Sequence, residues 1–176
     1  VAREFKRRLG DTTPLLLGGT PYSAEALSAK LLSWVVAEVS RTEGAPPDGV
    51  AVTHPANWGS YKKDLLAQAV RLADLPTATT LTEPQAAAAF YSSQQRVDAG
   101  DLVAVFDLGG GTFDAAVIRK GEDGRFDILG EPEGIERLGG IDFDDAVFAH
   151  VSAMAQEALD GLDPDDPTAV TAVARL

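Results

Sequence analysis

A mixed α/β fold in two lobes is what this sequence predicts, and three observations carry the prediction. Residues 20 to 93 alternate helix and strand signals in the order α-β-α-β-α. A polar stretch, SSQQRVDAG at 92 to 100, interrupts the alternation. Beyond it, three β-rich runs divided by turn residues lead into an amphipathic helix. The expected division is therefore 1–93 for part of a first lobe and 94–176 for the beginning of a second.

The elements follow in order. Ser23 caps a helix whose apolar residues Leu27, Leu31, Val35 and Val39 recur every four positions, and GAPPDG at 44 to 49 ends it in a turn. GVAVTHPAN reads as a buried strand stopped by Pro55, and Ser60 is the expected cap of a second helix with Leu65, Ala69 and Leu72 on one face. TATTLT is β-prone. Glu83 and Pro84 open a third helix through Ala86 to Ala89, because proline loses nothing at a first helical turn. LVAVFDLGGG, TFDAAVIRK and RFDILGEPEG suggest an antiparallel meander with GEDG as one of its turns. In LGGIDFDDAVFAHVSAMAQEAL, Asp142 is the expected N-cap of a helix with Phe143, Val147, Val151 and Met154 on its apolar stripe. The acidic, proline-punctuated remainder ends on a run that starts another helix.

Composition narrows the function. The 176 residues are 45% hydrophobic and 24% charged, within the globular range, and no apolar run reaches bilayer length. The N-terminal VAREFKRRLG lacks the apolar stretch of a secretory signal. Zero cysteines remove disulfide and thiolate chemistry, and an intracellular, reducing compartment is the simpler expectation. A net charge of −12 argues against nucleic-acid and anionic-membrane partners. The acidity is concentrated late, with 14 acidic against 3 basic residues in positions 121 to 176. The one basic cluster, Arg3, Lys6, Arg7 and Arg8, reads from composition as a solvated helix face.

Chemistry concentrates in DLGGGTFD, Asp107 to Asp114. Three glycines between two strands allow backbone conformations closed to other residues and let N–H groups approach an anion unobstructed. Thr112 adds a hydroxyl, and Asp107 and Asp114 place carboxylates beside a hydrated Mg²⁺. A glycine-rich hairpin with incidental acids is the plainer alternative. Glycines, both acids, the threonine and a strand on each side together favour a phosphate cradle. It is neither a Walker loop nor a dinucleotide fingerprint, since no Gly-Lys-Ser/Thr follows and no helix opens directly after the glycines. His54 and His150 read as satisfied surface residues, and Trp34 and Trp58 as core or lobe-interface residues with nothing basic interleaved.

VFDLGGGTFD resembles the second phosphate motif of the seventy-kilodalton heat-shock (DnaK-type) chaperones. Four further segments match in collinear order: FKRRLG at Phe5 to Gly10, VAVTHPANW at Val50 to Trp58, TEPQAAAAFY at Thr82 to Tyr91 and LGGIDFD at Leu138 to Asp144. The resemblance implies an actin-like ATPase fold, two ribonuclease-H-like lobes of mixed sheet flanked by helices with ATP or ADP and Mg²⁺ between them, and K⁺ as a further candidate ion. It implies that Lys6 orients the attacking water, that Glu83 and Asp107 hold the metal through water, and that Asp114 positions water. It assigns Gly109, Gly110, Gly111 and Thr112, with Gly139 and Gly140, to the phosphates, and Arg3, Arg7 and Arg8 remain surface charges. Pro55 and Lys63 take the places of a relay that couples nucleotide to the lobe surface. Phosphoryl transfer suits such a set, since it asks mainly for positioning and charge neutralisation.

The same resemblance implies unfolded client polypeptides and co-chaperones as partners of a longer cytoplasmic protein. The family's first phosphate motif, its adenosine-binding segment and its peptide-binding β-sandwich are not found in these 176 residues. The chain is thus expected to be a fragment with little ATPase activity alone. His54, Asn57 and Lys63 depart from the family's hydrophobic residue, tyrosine and arginine. A divergent, non-catalytic nucleotide sensor or interaction scaffold is the alternative, and a sugar kinase is disfavoured by TEPQAAAA and LGGIDFD.

Overall fold

The computed structural model describes residues 2–155, 166, 167 and 171. A short 3-10 helix, Phe5–Arg8, leads into a hairpin of β1 (Leu15–Leu17) and β2 (Thr20–Tyr22). The sequence reading passed over this hairpin. Its signal is Gly18-Gly19, whose φ values of 57° and 80° suit the left-handed two-residue turn that matches strand twist.

Helix α1 (Ala24–Glu43) starts at Ser23, whose hydroxyl accepts the Ala26 N–H at 3.2 Å, and stops at left-handed Gly44. Its expected apolar stripe is only partly used: Leu27 is buried while Leu31, Val35 and Val39 are exposed. The cause is the neighbour it meets, for α1 contacts α2 (Ser60–Leu72) through the small residues Ala29, Ala69 and Ala73. Trp34, read as a core or lobe-interface residue, is 61% exposed and does not belong to the core. Helix α2 is capped by Gly59 and not by Ser60, and it buries Leu66, Ala69 and Val70 while Leu72 is exposed.

β3 (Ala51–His54) and β4 (Thr79–Thr82) pair in parallel with α2 as their crossover. The register sets His54 against Thr82, so Pro55 and Glu83 leave the same carboxyl edge of the pair. Above this edge α3 (Glu83–Gln94) begins with a reciprocal cap between Thr82 and Gln85 and with proline in its first turn. One core joins Leu9, Ala24, Val52, Trp58, Leu66 and Val70.

The predicted meander is present: β5 (Leu102–Leu108), β6 (Phe113–Lys120) and β7 (Phe126–Ile135) form one antiparallel sheet. α3 packs on its inner face, where Ala88, Val97, Ile118 and Phe126 make a second core. α4 (Gly140–Met154) follows, capped by Gly139 and not by Asp142. Asp142 sits one turn in and its carboxylate reaches back to accept the Gly139 N–H at 2.8 Å, so the expected residue caps the helix from inside it and not from the N-cap position. No α4 residue is buried among those described, and Phe143, Val147 and Met154 are exposed. The expected continuation of α4 through 159, most of the acidic segment and nearly all of the last helix lie outside the described residues.

Candidate functional site

The loop between β5 and β6 is held by its carbonyls. Gly140 N–H donates to the Gly109 carbonyl at 3.0 Å and Ile141 N–H to that of Gly110 at 2.9 Å. The Gly111 carbonyl accepts Arg7 Nε at 2.7 Å. A planar trans peptide directs each N–H opposite to the carbonyl it shares a plane with, so the N–H groups of Gly110, Gly111 and Thr112 turn away from these donors. None of the three donates to a protein group among the described residues. Successive free N–H groups of this kind form an anion-binding concavity.

The glycine requirement differs from the expected one. No glycine of the loop has a left-handed φ, so conformational licence is not what the three glycines supply. Within the triple only Gly111 is crowded, a β-carbon there lying 3.1 Å from Arg7 Nε, while at Gly110 it would meet nothing within 4 Å; the tight approach is that of Gly139 beneath the loop, where a β-carbon would lie 2.6 Å from Gly110 C and Gly111 N. Gly139 is buried beneath the loop, and Gly140 supplies one of its tethers.

The acids gather beside it. The β5–β6 register sets Asp107 directly opposite Asp114. Asp114 is 6% exposed, and burial, then the charge of Glu83, push its carboxyl above the usual range, with Asp107 adding to the rise. The Thr112 side chain, through a hydrogen bond, and the charge of Lys6 oppose the shift. Lys6 Nζ donates to Glu83 Oε1 at 2.9 Å. Thus Lys6, Glu83, Asp107, Thr112 and Asp114 fall within one electrostatic neighbourhood. Among the described residues no three acidic or histidine side chains converge closely enough to hold a metal directly. Asp114 facing the charges of Glu83 and Asp107, with one half-exposed lysine, suits a hydrated divalent cation, which prefers oxygen and keeps its waters.

The proline segment abuts this cluster. Pro55, Asn57 and Trp58 line a small crevice with Thr112, Asp114 and Glu136. Pro55 is fully buried, and its carbonyl accepts His54 Nδ1 at 2.8 Å. His54 is accordingly satisfied but buried, not a surface residue, and it stacks on Trp58 at an interplanar angle of 8°. Lys63 stands exposed on α2 with no hydrogen bond or ion pair among the described residues. Its neighbour Lys62 makes the crossing instead, pairing with Glu136 and lying 5.7 Å from the Trp58 ring centroid. A cation does therefore meet one tryptophan.

Arg7 is the largest correction. Its side chain is 10% exposed, grips Gly111 and forks onto Asp142, whereas nothing in the basic cluster distinguishes it from Arg3 and Arg8. Gly134, where a β-carbon would meet both Asn57 and Asp114, was missed, and Asn57 reads in the sequence only as a departure from the family's tyrosine, since only the fold brings them to Asp114.

The Hsp70 protein family matches residues 11–174 of the chain. The chain belongs to the Hsp70 family. The chaperone protein DnaK of Elusimicrobium minutum (strain Pei191) is 34% identical over 144 residues, which is 82% of this chain and 23% of that relative. The chain thus spans under a quarter of the length of this relative. Family membership carries the actin-like ATPase fold, of which the βαβ unit and meander are parts, and it is a nucleotide-binding family.

Proposed function

We propose that residues 1–176 belong to the ATP-binding and ATP-hydrolysing domain of an Hsp70-type chaperone. The observation that carries this reading is the loop at 109–112, whose tethered carbonyls leave three N–H groups free beside Lys6, Glu83, Asp107 and Asp114. Residues 1–93 contribute to one lobe and 94–176 begin the other. The free N–H groups and the Thr112 hydroxyl receive the β- and γ-phosphates of ATP, or the β-phosphate of ADP. Gly139 and Gly140 support the loop from beneath. Asp107 and Glu83 would hold Mg²⁺ through its waters, with K⁺ as a further candidate ion, and the metal would supply charge neutralisation on the phosphates. Lys6, oriented by Glu83, directs the attacking water at the γ-phosphate, and Asp114 accepts from it. Being raised by burial, Asp114 is poised to take a proton.

In the full-length protein this hydrolysis couples to unfolded client polypeptides and co-chaperones in the cytoplasm. Among the described residues no helix is long and apolar enough to cross a membrane. Lys6→Met in the parent protein should lower single-turnover hydrolysis about a hundredfold or more while Mg·ATP still binds. The half-exposed Lys6–Glu83 pair contributes under about 1 kcal/mol, so thermal stability should hardly move. Unchanged hydrolysis would remove Lys6 from the mechanism.

Lys63, exposed and without a partner among the described residues, favours a second reading, a nucleotide sensor or scaffold with a loosened relay. Client-peptide affinity with and without ATP separates the two. The chaperone reading expects Pro55→Ala to shrink the ATP-dependent shift and Lys63→Arg to enlarge it, while equal shifts in all three proteins support the scaffold.

A further inference from the structure

Arg7 has no role in the phosphate reading, yet it is more enclosed than Lys6 beside it, at 10% against 48% side-chain exposure. A guanidinium so covered needs several acceptors. It has them: Nε donates to the Gly111 carbonyl at 2.7 Å, and the two terminal nitrogens reach the Asp142 oxygens at 3.2 and 2.5 Å. Asp142 also accepts the Gly139 N–H, and the next two N–H groups of that helix start hold the Gly109 and Gly110 carbonyls. Every carbonyl of the triple glycine is therefore fixed by either the α4 start or Arg7, and those two anchors are locked to each other. The 3-10 turn that sends Lys6 to Glu83 sends Arg7 to the loop.

We infer that Arg7 is a positioning residue for phosphate recognition: by holding the Gly111 carbonyl it fixes the direction of the Thr112 N–H across the same peptide plane. This rests on the phosphate reading above. Lysine cannot reproduce the grip, because one ammonium lacks the planar fork that serves Gly111 and Asp142 together. A free Gly111–Thr112 peptide can rotate, so phosphate affinity should fall while affinity for a ligand without phosphate stays.

The test titrates the full-length parent protein with Mg·ATP and with adenosine, comparing wild type, Arg7→Lys and Asp142→Asn. Expected for Arg7→Lys is a roughly ten- to hundredfold fall in the ratio of ATP to adenosine affinity, the size of one charge-assisted hydrogen bond. Asp142→Asn should move the ratio the same way by less, since the amide keeps one acceptor. An unchanged ratio in Arg7→Lys overturns the inference, and so does equal loss of both ligands, which marks a merely structural arginine. A wild-type protein that binds ATP no better than adenosine would instead sink the phosphate reading itself, and this inference with it.

Discussion

At Gly139 a β-carbon would press on backbone atoms 2.6 Å away, whereas at Gly110 it would meet nothing within 4 Å. Backbone cannot swing aside as a side chain can, so Gly139→Ala should cost roughly 1–3 kcal/mol of stability and Gly110→Ala clearly less. Chemical denaturation of the parent protein measures both, and equal costs would mean that the loop does not rest on Gly139. Asp114 is the converse case, a buried acid whose carboxyl is raised by burial and by Glu83. A folded-state pKa above the unfolded one contributes stability at low pH that is lost as pH rises through the folded value. Asp114→Asn should therefore stabilise the metal-free protein at pH 7 by about 0.5–2 kcal/mol and abolish hydrolysis, a gain bought at a functional site. The gain should vanish below about pH 4. Asp107, Thr112 and Asp114 were legible because they flank the glycines in one short run. Arg7 was not, since its acceptors lie 104 and 135 residues away and only burial separates it from Arg8.

Among the elements, α3 carries Glu83 at its first residue, and its reciprocal Thr82–Gln85 cap fixes where that residue points. Thr82→Ala should cost about 1 kcal/mol in stability and loosen Glu83, slowing hydrolysis more than it weakens ATP binding. A changed binding constant with unchanged turnover would contradict this. At α4, the Arg7 hydrogen bond holds the Asp142 carboxyl below the usual carboxylate range. Stability from this contact is present above about pH 4 and lost as pH falls through the lowered value, so Asp142→Asn should flatten the acid limb of a denaturation profile. Side-chain caps at Ser23 and Thr82 and the meander's apolar runs made those elements readable. At α2 and α4 glycine takes the cap, and a residue with no side chain leaves only the neighbouring Ser60 and Asp142 as misleading signals. Apolar periodicity located α1 and α4 but not their packing, which depends on what lies opposite.

Across the whole molecule, the βαβ part and the meander part meet at the proposed site. The βαβ unit delivers Pro55 and Glu83 from one strand edge, the meander delivers Asp107 and Asp114 from facing strands, and Arg7–Asp142 and Lys62–Glu136 join the two parts. The collinear motifs made the family legible, whereas these cross-contacts exist only in the assembled fold. The central claim is that this junction grips phosphate through the free N–H groups of Gly110, Gly111 and Thr112. Equilibrium titration of the full-length parent with Mg·ATP and with adenosine, for wild type and Gly139→Ala, tests it most directly. The account predicts that wild type prefers ATP by at least about tenfold, one charge-assisted contact or more, and that Gly139→Ala loses most of this preference while binding adenosine nearly as before. A preference that survives Gly139→Ala intact would contradict it.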